Sequence, residues 1–373
     1  MKLPLELPMI EDAELAAKVK HRWDQLTKPP GSLGRLEEVV LRLALIQGSF
    51  MPALTRRGMY VFCGDHGVVE EGVSAYPSEV TAQMVRNFLA GGAAINVLCR
   101  WRGIQPVVVD AGVKGPLQKG AVDCRIAMGT RNFARTPAMT EAQAEQALEN
   151  GMRLAGEARE HFDIAGVGEM GIGNTTAASA LLCVFAGVSP EEAVGRGAGL
   201  DDDGVRRKAQ VIAQALALHT PRAADPVAAL AAVGGLEIAT MAGFLLGAAR
   251  ARLPVVVDGF ITCSAVLAAK AFAPRLNDFV FYSHRSAERA HAKMLEFLGA
   301  GPLLDLNLRL GEGTGAVFGM TVLEAGLACY REMATFEEAM VSQRAALLQG
   351  GRPRPRSTPG RTYLMAGSRP HGR

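Results

Sequence analysis

Two glycine turns in this chain each carry a glutamate: Gly168-Glu169-Met170-Gly171-Ile172-Gly173-Asn174-Thr175-Thr176 and Arg309-Leu310-Gly311-Glu312-Gly313-Thr314-Gly315-Ala316. The first is entered by an apolar run, Ile164 to Val167, and left by a small-residue run, Ala177 to Leu182. That pattern reads as strand, turn and helix start. Such a turn aims backbone N–H groups at one spot and the helix N-terminus adds partial positive charge, so a phosphate is its natural occupant. Gly171 and Gly173 are expected to let the phosphate approach the backbone. The spacing Gly168-x4-Gly173 imitates a P-loop, but Asn174 stands where the P-loop lysine belongs, which argues against a nucleoside triphosphate. Glu169 puts a carboxylate beside the phosphate. Glu312 suits a general base, provided burial raises its pKa toward the working pH. Alone, either turn could be a packing glycine or a solvated loop acid; two in one chain point to chemistry.

An α/β rhythm must position these turns. β-rich apolar runs recur at Met59–Cys63, Pro106–Val109, Ile164–Val167, Leu253–Val257 and Phe279–Tyr282, with helical stretches at 78–101, 140–160, 176–187, 204–218, 227–250 and 285–298. Continuous apolar strands alternating with helices predict a parallel sheet covered on both faces. Each run ends in polar or ionisable groups: Asp65-His66, Asp110, Glu169, Asp258 and Ser283-His284. Ligands of open α/β sheets bind beyond the carboxyl ends of the strands, so these groups are expected at one edge. Asp201, Asp202 and Asp203 precede a helix and fit its dipole better than a metal ion, while Lys208, one turn in, can reach a phosphate.

Outside this rhythm, residues 11–26 and 33–47 read as helices separated by Lys28-Pro29-Pro30-Gly31-Ser32, with Ser32 as a candidate cap. Helical pattern returns at Thr321–Glu332 and Phe336–Leu348. Residues 350–373 hold six arginines, four prolines and no acid, and read as a disordered tail.

The 373 residues are 49% apolar but only 6% aromatic, which favours close-packed helices on a sheet. The formal charge of +3 becomes −3 once the six tail arginines are set aside, so no basic face for nucleic acid follows. The six cysteines are far apart and form no CxxC pair, which reads as free buried thiols. Glu6, Glu11 and Asp12 interrupt any signal-peptide core, and the apolar stretch Val227–Ala249 carries Glu237 and Thr240, which favours a core helix over a bilayer span. A cytoplasmic protein is expected.

Taken together, the chain resembles the nicotinate-nucleotide–dimethylbenzimidazole phosphoribosyltransferases across residues 5–343. The resemblance runs through Lys28-Pro29-Pro30-Gly31-Ser32-Leu33-Gly34, Gly64-Asp65-His66-Gly67-Val68, Tyr76-Pro77 with Glu79-Val80-Thr81, and Pro137-Ala138-Met139-Thr140. It continues through both Gly-Glu turns, Asp258-Gly259-Phe260, and Ser283-His284-Arg285-Ser286-Ala287-Glu288. Ala290 and Asp203 depart from the family pattern, where glycine and glutamate are commoner.

The resemblance implies transfer of the phosphoribosyl group of nicotinate mononucleotide to 5,6-dimethylbenzimidazole in cobalamin nucleotide-loop assembly. Glu312 would be the general base and Glu169 would lie near the reacting ribose. The implied fold is a Rossmann-like parallel sheet with helices on both faces (residues 56–319) plus a small helical domain from both chain ends (1–55 and 320–349), working as a homodimer. The donor carries its own leaving group, so no cofactor or metal is called for. The phosphate and ribose would engage Gly171, Gly173, Asn174, Thr175, Thr176, Lys208, Ser286, Arg309 and Gly311. The flat acceptor would rest against Tyr76, Gln83, Met84, Met170 and Leu310. The rival readings are a kinase or NTPase, weakened by Asn174, a phosphate-binding regulatory protein, which has no use for Glu312, and a phosphoribosyltransferase for another base.

Overall fold

The computed structural model describes residues 5–197 and 199–342. In chain order these form α1 (Ala13–Gln25), α2 (Arg35–Gln47), β1 (Arg57–Gly64), α3 (Glu79–Ala90), α4 (Ala94–Arg102), β2 (Gln105–Gly112) and β3 (Val122–Asp123). There follow α5 (Glu141–His161), β4 (Ile164–Met170), α6 (Asn174–Ala186), α7 (Pro190–Ala193), α8 (Asp202–His219), α9 (Pro226–Val233) and α10 (Leu236–Arg250). The rest are β5 (Val255–Val257), α11 (Phe260–Phe272), β6 (Val280–Tyr282), α12 (His291–Leu298) and α13 (Thr314–Glu332).

The six strands form one sheet in the order β3-β2-β1-β4-β5-β6, every pair parallel. This is the doubly wound order, with its switch point between β1 and β4, where a crevice opens beyond the strand ends. All five predicted strands are present; β3, two residues long, carries too little apolar pattern to be read. β4 runs on through Met170, so Glu169 sits on a strand end rather than in the turn that follows.

The scarcity of aromatics has its counterpart in how α5 and α10 pack. A β-carbon on Gly151 would lie 2.0 Å from the Thr240 carbonyl oxygen, and one on Gly243 would lie 2.0 Å from that of Leu148. Those two helices therefore touch backbone to backbone. Leu236 to Ala249 of α10 are all buried, so the apolar stretch is core, as expected. Among the described residues, no helix is long and apolar enough to cross a membrane.

Several helix boundaries differ from expectation. The stretch 78–101 is two helices, because Gly91 ends α3 at a φ of +81°. The stretch 227–250 is likewise divided, at Gly234-Gly235. Residues 285–290 are a loop and the helix begins at His291. α11 was not among the expected helices, because its uniform burial leaves no amphipathic stripe to detect. Ser32 does not cap α2; Gly34 holds that position with no side-chain bond. Asp201 does cap α8, accepting from the Gly204 amide at 2.8 Å, while Asp202 and Asp203 pair with Arg196 and Arg206.

The end of α1 meets the end of α13: the Trp23 and Tyr330 rings lie 5.1 Å apart and Arg22 donates to the Tyr330 carbonyl. Residues 336–340 make turns rather than a helix. Residues 343–348 of the Phe336–Leu348 pattern and the 350–373 tail lie outside the described residues.

Candidate active site

Because every strand is parallel, the polar strand-end groups share one edge, as expected. They do not share one role. Asp65 is used by Ser78 Oγ (2.8 Å) and the Lys114 amide (2.8 Å), and Asp110 by the Gly112 and Val113 amides (3.1 and 2.9 Å). These bonds shape loops. Glu169, Asp258 and His284 instead line one cavity, together with Glu312.

Glu169 reaches the cavity from the end of β4, where Asn174 at the start of α6 donates from Nδ2 to its Oε2. Its other oxygen lies against Gly311: a β-carbon there would be 2.3 Å from Glu169 Oε1. Burial, then the Asp258 charge, push the Glu169 carboxyl up to about 8, against the Asn174 amide, which favours the anion.

Glu312 occupies unusual backbone. Gly311, Glu312 and Gly313 have φ values of +81°, +64° and +90°, so a glutamate stands in the left-handed region between two glycines. Its Oε2 is buried with no hydrogen-bond partner among the described residues. Burial raises its pKa, opposed by the Ile95 amide at the start of α4 and reinforced by Asp258.

Asp258, at the end of β5, explains how that backbone is held. Its Oδ2 accepts from the Gly313 amide at 3.1 Å and its Oδ1 from the Gly315 amide at 2.7 Å. It thereby supplies the N-terminal cap that Gly313, lacking a side chain, cannot give α13. Burial raises the Asp258 pKa, while His284 and the α13 amides oppose that rise. The strand-end acid and the Asp258-Gly259-Phe260 motif were the signals available in the sequence for this residue.

Lys208 of α8 is 1% exposed, and its Nζ donates to Thr175 Oγ1 at 2.8 Å. Burial lowers its pKa to about 8, with Glu288 opposing. No carboxylate forms an ion pair with it among the described residues, so it is a buried ammonium suited to an anionic ligand.

The cavity gathers Glu169, Glu312, Gly171, Gly173, Asn174, Thr175, Lys208, Ser286, Arg309 and Gly311 from the expected donor set, and Tyr76, Met84, Met170 and Leu310 from the acceptor set. It does not include two. Thr176 is buried inside α6, its hydroxyl without a partner among the described residues, and Gln83 lies on the exposed face of α3. Val73, Val80, Ile172 and Phe260 add apolar wall not assigned to the pocket from sequence, although the last three stand in quoted motifs, and Glu288 adds an acid near Lys208.

The glycines of the first turn line the cavity and are also needed for packing. A β-carbon on Gly171 would meet the Gly64 carbonyl oxygen at 2.3 Å, and one on Gly173 would meet Val69 Cγ2 at 2.7 Å and His66 Cβ at 3.2 Å. Both are bare where the turn packs against the end of β1 and the residues just after it, and Gly173 also holds a φ of +94°. Three of its amides are already engaged: Ile172 with Thr81 Oγ1, Asn174 with the Gly171 carbonyl and Thr176 with the Gly173 carbonyl. Among the described residues, the Gly173 and Thr175 amides make no such bond.

Comparisons with known proteins show the family. A family model described as phosphoribosyltransferase matches residues 10–341. The nicotinate-nucleotide–dimethylbenzimidazole phosphoribosyltransferase of Geobacter sulfurreducens is 51% identical over 335 residues, covering 89% of this chain and 95% of its own. That of Pelodictyon phaeoclathratiforme is 49% identical over 349 residues, covering 92% and 99%. The crystal structure of CobT from Thermus thermophilus superimposes with a TM-score of 0.84 at 48% identity, over 89% of this chain and all (100%) of that one.

Proposed function

Because the chain belongs to the nicotinate-nucleotide–dimethylbenzimidazole phosphoribosyltransferase family, we propose that Glu312 is its general base and Glu169 the charge partner of the reacting ribose. The enzyme transfers the phosphoribosyl group of nicotinate mononucleotide to 5,6-dimethylbenzimidazole, giving α-ribazole 5′-phosphate and nicotinate, a step of cobalamin biosynthesis. The observation that carries the residue roles is the contact between Glu169 Oε1 and Gly311, the immediate neighbour of Glu312, which brings both acids to one cavity with Lys208.

The chemistry divides accordingly. The donor phosphate is held by Lys208, Thr175, Ser286 and Arg309. Positive charge grows on the ribose carbon as the pyridine nitrogen departs, and a carboxylate beside it stabilises that charge. With its carboxyl pushed up to about 8, Glu169 is largely protonated at neutral pH until the cationic donor ring draws it into the anion, a form the Asn174 amide already favours. One acceptor nitrogen attacks while the other loses its proton to Glu312, whose unpartnered Oε2 is free to take it. Met84, Met170, Val80 and Leu310 enclose the flat acceptor.

The test is incubation with nicotinate mononucleotide and dimethylbenzimidazole, without added metal or ATP. Nicotinate release matched by α-ribazole 5′-phosphate is the expected result. Release without the second product, or none, refutes the residue assignment along with the reading.

The assembly we propose is a homodimer, located in the cytoplasm, with the chain ends (1–55 and 320–349) as a small helical domain beside a catalytic domain of 56–319. The resemblance supports the dimer and the domains, and the scattered cysteines without a CxxC pair support the cytoplasm. On α4, Val97 and Trp101 are exposed apolar side chains of the sort an interface covers. Sedimentation equilibrium giving the mass of one chain would remove the dimer.

A further inference from the structure

His291 lies in none of the contacts so far assigned to substrate, yet its whole ring is used. The Ser286 amide donates to its Nδ1 at 2.8 Å. A nitrogen that accepts carries no proton, so in the neutral ring the proton sits on Nε2. That nitrogen faces Cys263 Sγ of α11 at 3.3 Å. The ring is fully buried, with its edge toward Phe260, the centroids 6.4 Å apart at 79°. Burial, with His284 adding, pushes the imidazole down to about 3, so it stays neutral at any working pH. Cys263 is pushed up by burial, and neither member of the pair can act as a nucleophile or base.

The bonds around the ring close a loop. The His291 amide donates to the Glu288 carbonyl at 3.0 Å, the Glu288 amide to Ser286 Oγ at 3.3 Å, and the Ser286 amide back to the ring. Ser286 and Glu288 line the substrate cavity, and Glu288 is the charge that acts on Lys208. Cys263 anchors the cycle to α11, whose first turn, Gly259 to Ile261, lines the same cavity.

We infer that His291 is a positioning residue for the donor phosphate: anchored to α11 through Cys263, it holds the Ser286–Glu288 loop in the shape that binds the phosphoribosyl group. The inference rests on the reading of the cavity given above. A group that only stabilised the fold would affect melting temperature and leave the substrate constants alone. A positioning group changes the donor KM while kcat and the acceptor KM stay near their original values.

Two substitutions of similar polarity separate these cases. His291→Asn places its carbonyl oxygen near the former Nδ1 and keeps an acceptor for the Ser286 amide. His291→Gln places its polar end near the former Nε2 and leaves that amide unpartnered. Loss of one buried hydrogen bond is expected to raise the donor KM about tenfold in His291→Gln, with His291→Asn within about threefold of the parent enzyme. Cys263→Ala, which leaves the loop's own sequence intact, is expected to raise it about two- to threefold in the same direction. Calorimetric titration with nicotinate mononucleotide should give the same ranking without turnover. Equal donor constants for His291→Asn and His291→Gln overturn the inference, whatever their melting temperatures. Should neither variant fold, an unchanged donor constant in Cys263→Ala overturns it. If the parent protein itself neither binds nor uses nicotinate mononucleotide, the functional reading fails first and the inference falls with it.

Discussion

Gly168 of β4 lies flat against Gly313 at the start of α13: a β-carbon on Gly168 would sit 2.2 Å from the Gly313 amide nitrogen and 2.4 Å from the Glu312 carbonyl carbon. The two Gly-Glu turns are thus one packed unit, held that close because Gly168 carries no side chain. Gly168→Ala should force the turns apart, at a cost of about 1–3 kcal/mol for overpacking, and should lower both melting temperature and kcat. Gly156→Ala is the control, because nothing lies within 4 Å of its added carbon and a helical Gly→Ala change gains roughly 0.5–1 kcal/mol. Equal melting temperatures for the two variants would contradict the close approach.

Glu312→Gln keeps the side-chain shape but cannot take a proton. Loss of a general base costs about 10²–10⁴-fold, so kcat should fall by an amount in that range with donor binding largely kept. Glu169→Gln should also slow turnover, through lost charge stabilisation. An N-methylated benzimidazole has no proton to lose, so it should narrow the gap between the parent and Glu312→Gln but not the gap to Glu169→Gln. Wild-type turnover of dimethylbenzimidazole by Glu312→Gln would end the base assignment.

Lys208 gives the donor constant a pH dependence of known sign. The ammonium form binds the phosphate, and its pKa in the free enzyme is lowered to about 8. Donor affinity should therefore be full below that value and decline as pH rises through it, giving an alkaline limb in kcat/KM. Lys208→Ala should bind the donor more weakly at pH 7 and lose that limb. A donor KM that stays flat between pH 7 and 9 in the parent enzyme would show the ammonium is not used.

Most of the strands and both catalytic candidates were legible because they rest on local pattern: apolar runs, and acids on glycine turns. What escaped reading depends on contacts distant in sequence. Gly171 and Gly173 look locally like openings for a ligand, and the structure also packs them against residues 64–69, far earlier in the chain. No local signal separates those two uses of glycine. α11 escaped because it is buried all round, and a period needs a polar face to be seen. Asp258 was visible as a strand-end acid, but its capping of α13 joins residues 55 and 57 positions apart. Gln83 rests on the family resemblance alone, and Thr176 reads locally as the end of the phosphate turn; spacing does not show that one is exposed and the other buried in α6.

Glu312→Gly should uncouple stability from activity. The glutamate holds a φ of +64°, a region where glycine is unstrained. Its carboxyl is buried with one oxygen unpartnered among the described residues, and burial raises its pKa. An acid whose folded pKa is raised binds more protons in the native state than in the unfolded chain. Its ionised form therefore costs stability, and that cost grows as pH rises above the ordinary carboxylate range toward the raised value. Removing the group relieves that cost and the backbone strain together at pH 7, against the extra chain entropy of a glycine in the unfolded state. The expected outcome is a melting temperature at or above that of the parent at pH 7, with the difference shrinking near pH 4, and transfer activity reduced at least as far as in Glu312→Gln. A Glu312→Gly protein that melts several degrees lower at pH 7 would show that the side chain supports the fold, and the strained backbone would then need another explanation than catalysis.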